Sequence, residues 1–161
     1  MADDVYAVVR GLKRRRPGWD TDDLLGYRSG KRWHNVTAGD INDYLREISG
    51  ADFTAKDFRT WHATVLAAVG LAVSEPAAGS ETARRRAVAR AVREVADYLG
   101  NTPAVARGSY IDPRVIERYE NGATIRHALA DLGASSEFGE LATQGRPEAA
   151  VLRLLREHRP A

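Results

Sequence analysis

The sequence predicts a mainly α-helical chain with little strand, and three observations carry that expectation. Apolar residues recur three and four positions apart through most of the chain, which gathers them on one face of a helix. Glycines and Thr-Pro or Asp-Pro pairs punctuate these runs where one helix would stop and the next begin. Extended pieces around a turn signal, Ser29-Gly30, occur in one short stretch, Leu24–Val36. No internal repeat is visible.

In chain order, Val5, Val8, Val9 and Leu12 share helical spacing and lead into the basic run Lys13–Arg16, then Pro17-Gly18. That run reads as a solvated helix end favoured by the macrodipole, with phosphate contact as the alternative. From Asp40, the segment DINDYLREIS sets Ile41, Tyr44, Leu45 and Ile48 on one face and is closed by Gly50. Thr54 is suited to cap the next helix, and Asp57 places an acid in its first turn. Along that helix Phe58, Trp61, Val65 and Val69 form an apolar stripe. After the small-residue loop SEPAAGS, a long helix turns Val88, Val92, Val95 and Leu99 to a core, with Arg86, Arg90 and Arg93 on another face, read as solvated. Gly100 ends it. Thr102-Pro103 opens a short helix that delivers Tyr110, and Asp112-Pro113 opens another containing Val115 and Ile116 and reaching toward Tyr119. Beyond Asn121-Gly122 the pattern weakens until a terminal helix from Pro147.

Bulk properties narrow the function. The 161 residues suffice for one domain with a core, and 43% hydrophobic content excludes a wholly disordered chain. No apolar run approaches the roughly 20 residues a bilayer span needs. The start, MADDVYAVV, lacks a basic n-region, so a cytoplasmic location is expected. With no cysteine, disulfides and thiolate-ligated metal sites are excluded. The net charge is only +2, but lysine occurs only at Lys13, Lys31 and Lys56, and arginine supplies the other cations. Guanidinium grips phosphate bidentately, which suits nucleic acid; a GC-rich genome would give the same bias.

Three stretches, DINDYLREISG, AKDFRTWHATVLAA and YLGNTPAVARGSYIDPRV, resemble the bacterial, poxvirus-like type IB DNA topoisomerases. The resemblance covers roughly Asp23–Tyr119 and implies the C-terminal part of their catalytic domain over 1–122, with 123–161 a helical tail. It implies the helical core that these enzymes share with tyrosine recombinases. It also implies transient single-strand cleavage of double-stranded DNA through a 3′-phosphotyrosyl link, which relaxes supercoils without ATP, and a nucleoid-associated location. In that family the arginine of K-D-x-R-T binds the scissile phosphate, and Arg59 matches it. The nucleophile lies in N-T-P-x-x-x-x-x-x-Y with D-P-R following; Tyr110 matches, followed by Ile111-Asp112-Pro113-Arg114. Nine residues before the tyrosine the family places a histidine or, in some bacterial members, an asparagine, and here it is Asn101. An amide keeps an N–H donor but carries no charge.

The chemistry suits these residue types. A phenol titrates near ~10 and is a weak nucleophile without neighbouring cations. Attack on a phosphodiester builds negative charge that fixed guanidinium and amide donors stabilise. No cofactor or metal is expected. Taken singly, Tyr110 reads as a surface aromatic, Arg59 as an ion-pair partner and Asn101 as a helix-ending residue; the shared order of both motifs favours the catalytic reading. His62, His34 and Trp33 read as structural or surface residues.

The family also uses a second phosphate-binding arginine and a general-acid lysine on a β-hairpin upstream of these motifs. Lys31 lies near a turn but too close to Arg59 in sequence, and Lys13 fits no better. General acid catalysis contributes ~10²–10⁴ in rate, so the chain reads as a truncated product, a fragment of a longer chain, or a subunit completed by a separate polypeptide that supplies the missing part. Three other readings stay open. One is a tyrosine recombinase, which usually has histidine where Lys56 stands; another is an inactive DNA-binding remnant; the third is a helical domain with no DNA role.

Overall fold

The computed structural model describes residues 3–14, 23–75, 79–130 and 145–156. The chain divides into two compact units, Met1–Ala55 and Lys56–Ala161, and is mainly α-helical with one two-stranded sheet among the described residues.

The first unit holds α1 (Asp3–Lys13), the strands β1 (Gly26–Ser29) and β2 (Arg32–Asn35), and α2 (Ala38–Ser49). The strands pair antiparallel with Ser29 opposite Arg32, so Gly30 and Lys31 form the connection. Gly30 takes φ +61°, which a side chain would disfavour. This hairpin is the strand expected within Leu24–Val36. Tyr27 faces His34 across it, ring centroids 5.4 Å apart. In α2 the helix starts at Ala38 rather than Asp40, because Thr37 and Asp40 cap it reciprocally. Thr37 Oγ1 accepts from the Asp40 N–H at 3.2 Å, and the Asp40 carboxylate accepts from the Thr37 N–H at 2.7 Å. Gly50 closes the helix at φ 67°. The face Ile41, Tyr44, Leu45, Ile48 forms, but α2 buries none of its residues, and Tyr44 and Ile48 are each 60% exposed. Val5 and Val8 of α1 are likewise exposed. Arg15, Arg16, Pro17 and Gly18 lie outside the described residues.

The second unit holds most of α3 (Ala55–Ser74), then α4 (Glu81–Leu99), α5 (Pro103–Ser109), α6 (Pro113–Glu120), α7 (Arg126–Ala130) and α8 (Arg146–Arg156). The expected stripe on α3 needs correction. Val65 is fully buried and Trp61 and Val69 are partly so, whereas Phe58 is exposed. The buried surface is instead the small-residue set Ala63, Thr64, Ala67, Ala68 and Ala72 with Val65 and Leu71. Small side chains allow close helix approach: a Cβ added at Gly70 would stand 3.5 Å from the Ala91 Cβ of α4. On α4, Val88, Val92, Val95 and Leu99 are buried as their period predicts, and Arg86, Arg90 and Arg93 are exposed. Helix α7 forms where the sequence pattern weakens. Ile125 with Ala150, Val151 and Leu154 of α8 joins the same core, and Trp61 Nε1 donates to Glu148 Oε1 at 2.9 Å, tying α8 to α3. Part of the SEPAAGS loop lies outside the described residues.

Leu71 is the largest fully buried side chain of this core. Truncation to alanine is expected to lower unfolding free energy by ~2–5 kcal/mol, transfer and cavity terms combined. Urea denaturation of wild type and Leu71→Ala checks it.

Candidate active site

The C-terminus of α4 organises two of the three residues singled out by the sequence. A helix end leaves carbonyls without intrahelical partners. Here Gly100 turns left-handed at φ 66°, its N–H reaches Asp97 O at 3.2 Å, and the Asn101 N–H reaches Ala96 O at 2.9 Å. Those two bonds make a Schellman turn, which requires the glycine and fixes the backbone of Asn101. The carbonyl of the terminal residue, Leu99, takes part in neither bond, and Arg59 Nη2 donates to it. The negative end of the α4 dipole thus holds a guanidinium.

Arg59 also touches the tyrosine. Its guanidinium carbon lies 5.3 Å from the Tyr110 ring centroid, within cation–π range. One bond to Leu99 leaves other N–H groups of the five-donor fork for a ligand. Arg59 is exposed and Tyr110 and Asn101 are partly buried. Asn101 Nδ2 is itself buried with no hydrogen-bond partner. An unsatisfied buried donor is unusual in a folded protein; Arg118 Nη2 and Tyr119 Oη are the other buried side-chain atoms without a partner among the described residues. Arg59 therefore meets Tyr110 directly and meets the chain two residues before Asn101.

Tyr110 is delivered by short, well-capped pieces. Thr102 Oγ1 accepts from the Val105 N–H at 3.3 Å and Pro103 sits in the first turn of α5. Helix α5 ends on Tyr110, whose N–H donates to Ala106 O at 3.1 Å. The next residue, Ile111, is buried and anchors the segment in the core. Asp112 then caps α6 by accepting from the Arg114 N–H at 3.0 Å.

Asp112 also pairs with the Arg114 guanidinium at 2.6 Å, and that hydrogen bond holds its carboxyl below the usual carboxylate range despite partial burial. A depressed folded-state pKa contributes stability above the unfolded-state value and loses it as pH falls through the folded value. Asp112→Asn keeps a capping side chain and removes the charge. The stability difference between wild type and this variant is expected to be full near neutrality and to fade below about pH 4, the unfolded carboxylate range. Chemical denaturation across pH 2–7, compared between the two proteins, checks the sign.

The remaining candidates take structural places. His34 stacks on Tyr27, and His62 lies 5.2 Å from Tyr98, ring to ring. Trp33 is partly buried in β2. Lys31 stands in the hairpin connection and Lys13 at the end of α1, both in the first unit. Among the described residues no group of three or more His, Cys, Asp or Glu side chains could hold a metal, and no helix is long and apolar enough to cross a membrane. Sequence reasoning missed Thr64, whose hydroxyl reaches the Tyr110 segment. Its available signal was a lone hydroxyl inside the apolar run ATVLAA.

A guanidinium against a tyrosine ring, with an unpartnered amide donor just beyond the helix end it caps, is a candidate anion-handling site. Residues 6–132 match the catalytic core of eukaryotic DNA topoisomerase I, and the chain belongs to that family. It is also similar to a DNA topoisomerase 1B of Acanthamoeba polyphaga mimivirus, 34% identical over 89 residues, covering 53% of this chain and 26% of the relative. The chain thus spans about a quarter of that relative's length.

Proposed function

We propose that this chain is the C-terminal part of a type IB topoisomerase catalytic domain of the bacterial, poxvirus-like kind, acting on double-stranded DNA in the nucleoid. The observation that carries this reading is the arrangement of Arg59 against the Tyr110 ring with the unpartnered Asn101 amide beside the same helix end. In this reading the Tyr110 oxygen attacks a backbone phosphorus. The phenol proton passes to water as a P–O bond to Tyr110 forms, the P–O5′ bond breaks, and the 5′-oxygen leaves with a proton from a general acid. Arg59 and Asn101 donate to the phosphate oxygens, on which charge accumulates in the transition state. The 3′-phosphotyrosyl link keeps the free energy of the broken bond, so strand rotation and resealing need no ATP.

The general acid and a second phosphate-binding arginine come from elsewhere: either another polypeptide or a further segment joined to this one supplies them. The family membership and the short span of the match support this division. Lys56, where recombinases usually carry histidine, supports the topoisomerase reading over a recombinase.

The test is covalent capture on a suicide duplex that releases its 5′ fragment after cleavage. The expected result is a denaturant-resistant protein–DNA adduct with the chain alone or when the N-terminal portion of a type IB topoisomerase is added in trans. No adduct in either setting, alongside salt-dependent DNA binding, would replace this reading with an inactive DNA-binding remnant.

A further inference from the structure

We infer that Thr64 is a positioning residue that holds the backbone immediately following the Tyr110 nucleophile. The inference rests on the proposed role of Tyr110. Thr64 is 2% exposed and is the buried polar side chain of the core among the described residues. Its Oγ1 accepts from the Asp112 N–H at 3.1 Å, and two carbonyls lie within reach of its single proton: Thr60 O at 2.9 Å and Tyr110 O at 3.3 Å. A threonine inside a helix commonly donates to the carbonyl four residues back, and the Thr60 bond alone would satisfy that hydroxyl proton. The contacts to Tyr110 and Asp112, 46 and 48 residues away, are additional, and the Asp112 N–H donates to one of the two oxygen lone pairs, which a bond to Thr60 O does not use.

The placement explains why this position matters. Thr64 and Arg59 stand five residues apart on α3, one rigid helix with 3.6 residues per turn. Arg59 addresses the ring of Tyr110 and Thr64 addresses its backbone. Both ends of the tyrosine are thereby referenced to the helix that also carries the phosphate-binding guanidinium. Helix α5, which delivers Tyr110, is only seven residues long and gives little rigidity by itself. Displacing a reacting group by about 1 Å can lower a rate ~10²-fold, so a buried clamp on the two peptides that follow Tyr110 bears on the chemistry without touching DNA.

Three forms of the full chain test it: wild type, Thr64→Val, which keeps the shape and removes the hydroxyl, and Thr64→Ser, which restores it. The first readout is amide hydrogen exchange, which needs no DNA. In Thr64→Val the Asp112 N–H is expected to exchange about tenfold faster or more, the loss of one buried hydrogen bond. Amides of Val92 and Val95 should hardly change, and Thr64→Ser should return the Asp112 value toward wild type. The second readout is the rate of covalent capture, completed in trans where required. Thr64→Val should slow it about tenfold or more with DNA affinity nearly unchanged, and serine should rescue it. The inference is overturned by an Asp112 amide that stays protected in Thr64→Val, by protection lost evenly over α3 and α4, or by a capture rate equal to wild type. A wild-type chain that forms no adduct in any setting sinks the role of Tyr110 instead, and exchange at Asp112 then decides the clamp alone.

Discussion

Tyr110→Phe is expected to leave no denaturant-resistant DNA adduct under conditions where the wild-type chain forms one. The substitution removes one oxygen and keeps the ring that lies 5.3 Å from the Arg59 guanidinium carbon. Packing and the cation–π contact survive, because both depend on the ring face and not on the hydroxyl. The buried neighbours Ala106 and Ile111 and the Tyr110 N–H bond to Ala106 O are backbone or core features that phenylalanine retains. Thermal unfolding and DNA affinity should therefore match wild type, while covalent capture disappears. An adduct that persists in Tyr110→Phe would place the nucleophile elsewhere in the chain and overturn the assignment.

The second large effect is expected at Arg59. Losing one preorganised donor to a developing oxyanion lowers the rate ~10²–10³-fold, so Arg59→Ala should slow strand cleavage by about that factor. Arg59→Lys keeps the charge but presents a compact ammonium in place of a planar fork. It cannot both hold the Leu99 carbonyl and offer a bidentate pair to phosphate, and it is expected to recover only part of the loss. The Leu99 bond gives a way to separate chemistry from folding. Arg59 is exposed while its bond to the Leu99 carbonyl is part-buried, and one such hydrogen bond contributes on the order of 1 kcal/mol. A small change in urea midpoint with a large change in cleavage rate is the expected split. Arg59→Ala that cleaves at the wild-type rate would remove this residue from the mechanism.

Much of the fold was legible because its signals are local. Gly50 and Gly100 stop helices by adopting positive φ, a property of the glycine backbone itself. Thr102 with Pro103, and Asp112 with Pro113, start helices through a side-chain acceptor and a fixed φ. The period of Val88, Val92, Val95 and Leu99 named the buried face of α4 correctly. On α3 the same reasoning chose Phe58 by size, although the surface that packs is alanine, where close backbone approach outweighs individual apolar area. Helix α7 escaped notice because five residues are too few for a period to show.

The sequence by itself determined most of the helices and several of their caps, and singled out Arg59, Asn101 and Tyr110 as candidates. Only the tertiary structure decided that Arg59 donates to the terminal carbonyl of α4 and faces the Tyr110 ring. It alone showed that the Asn101 amide lacks a partner and that Thr64 reaches across to Asp112. The physical reason is range. Caps and periods act over a few residues, whereas these contacts join positions 40 to 51 residues apart and form only once α3, α4 and α5 have packed.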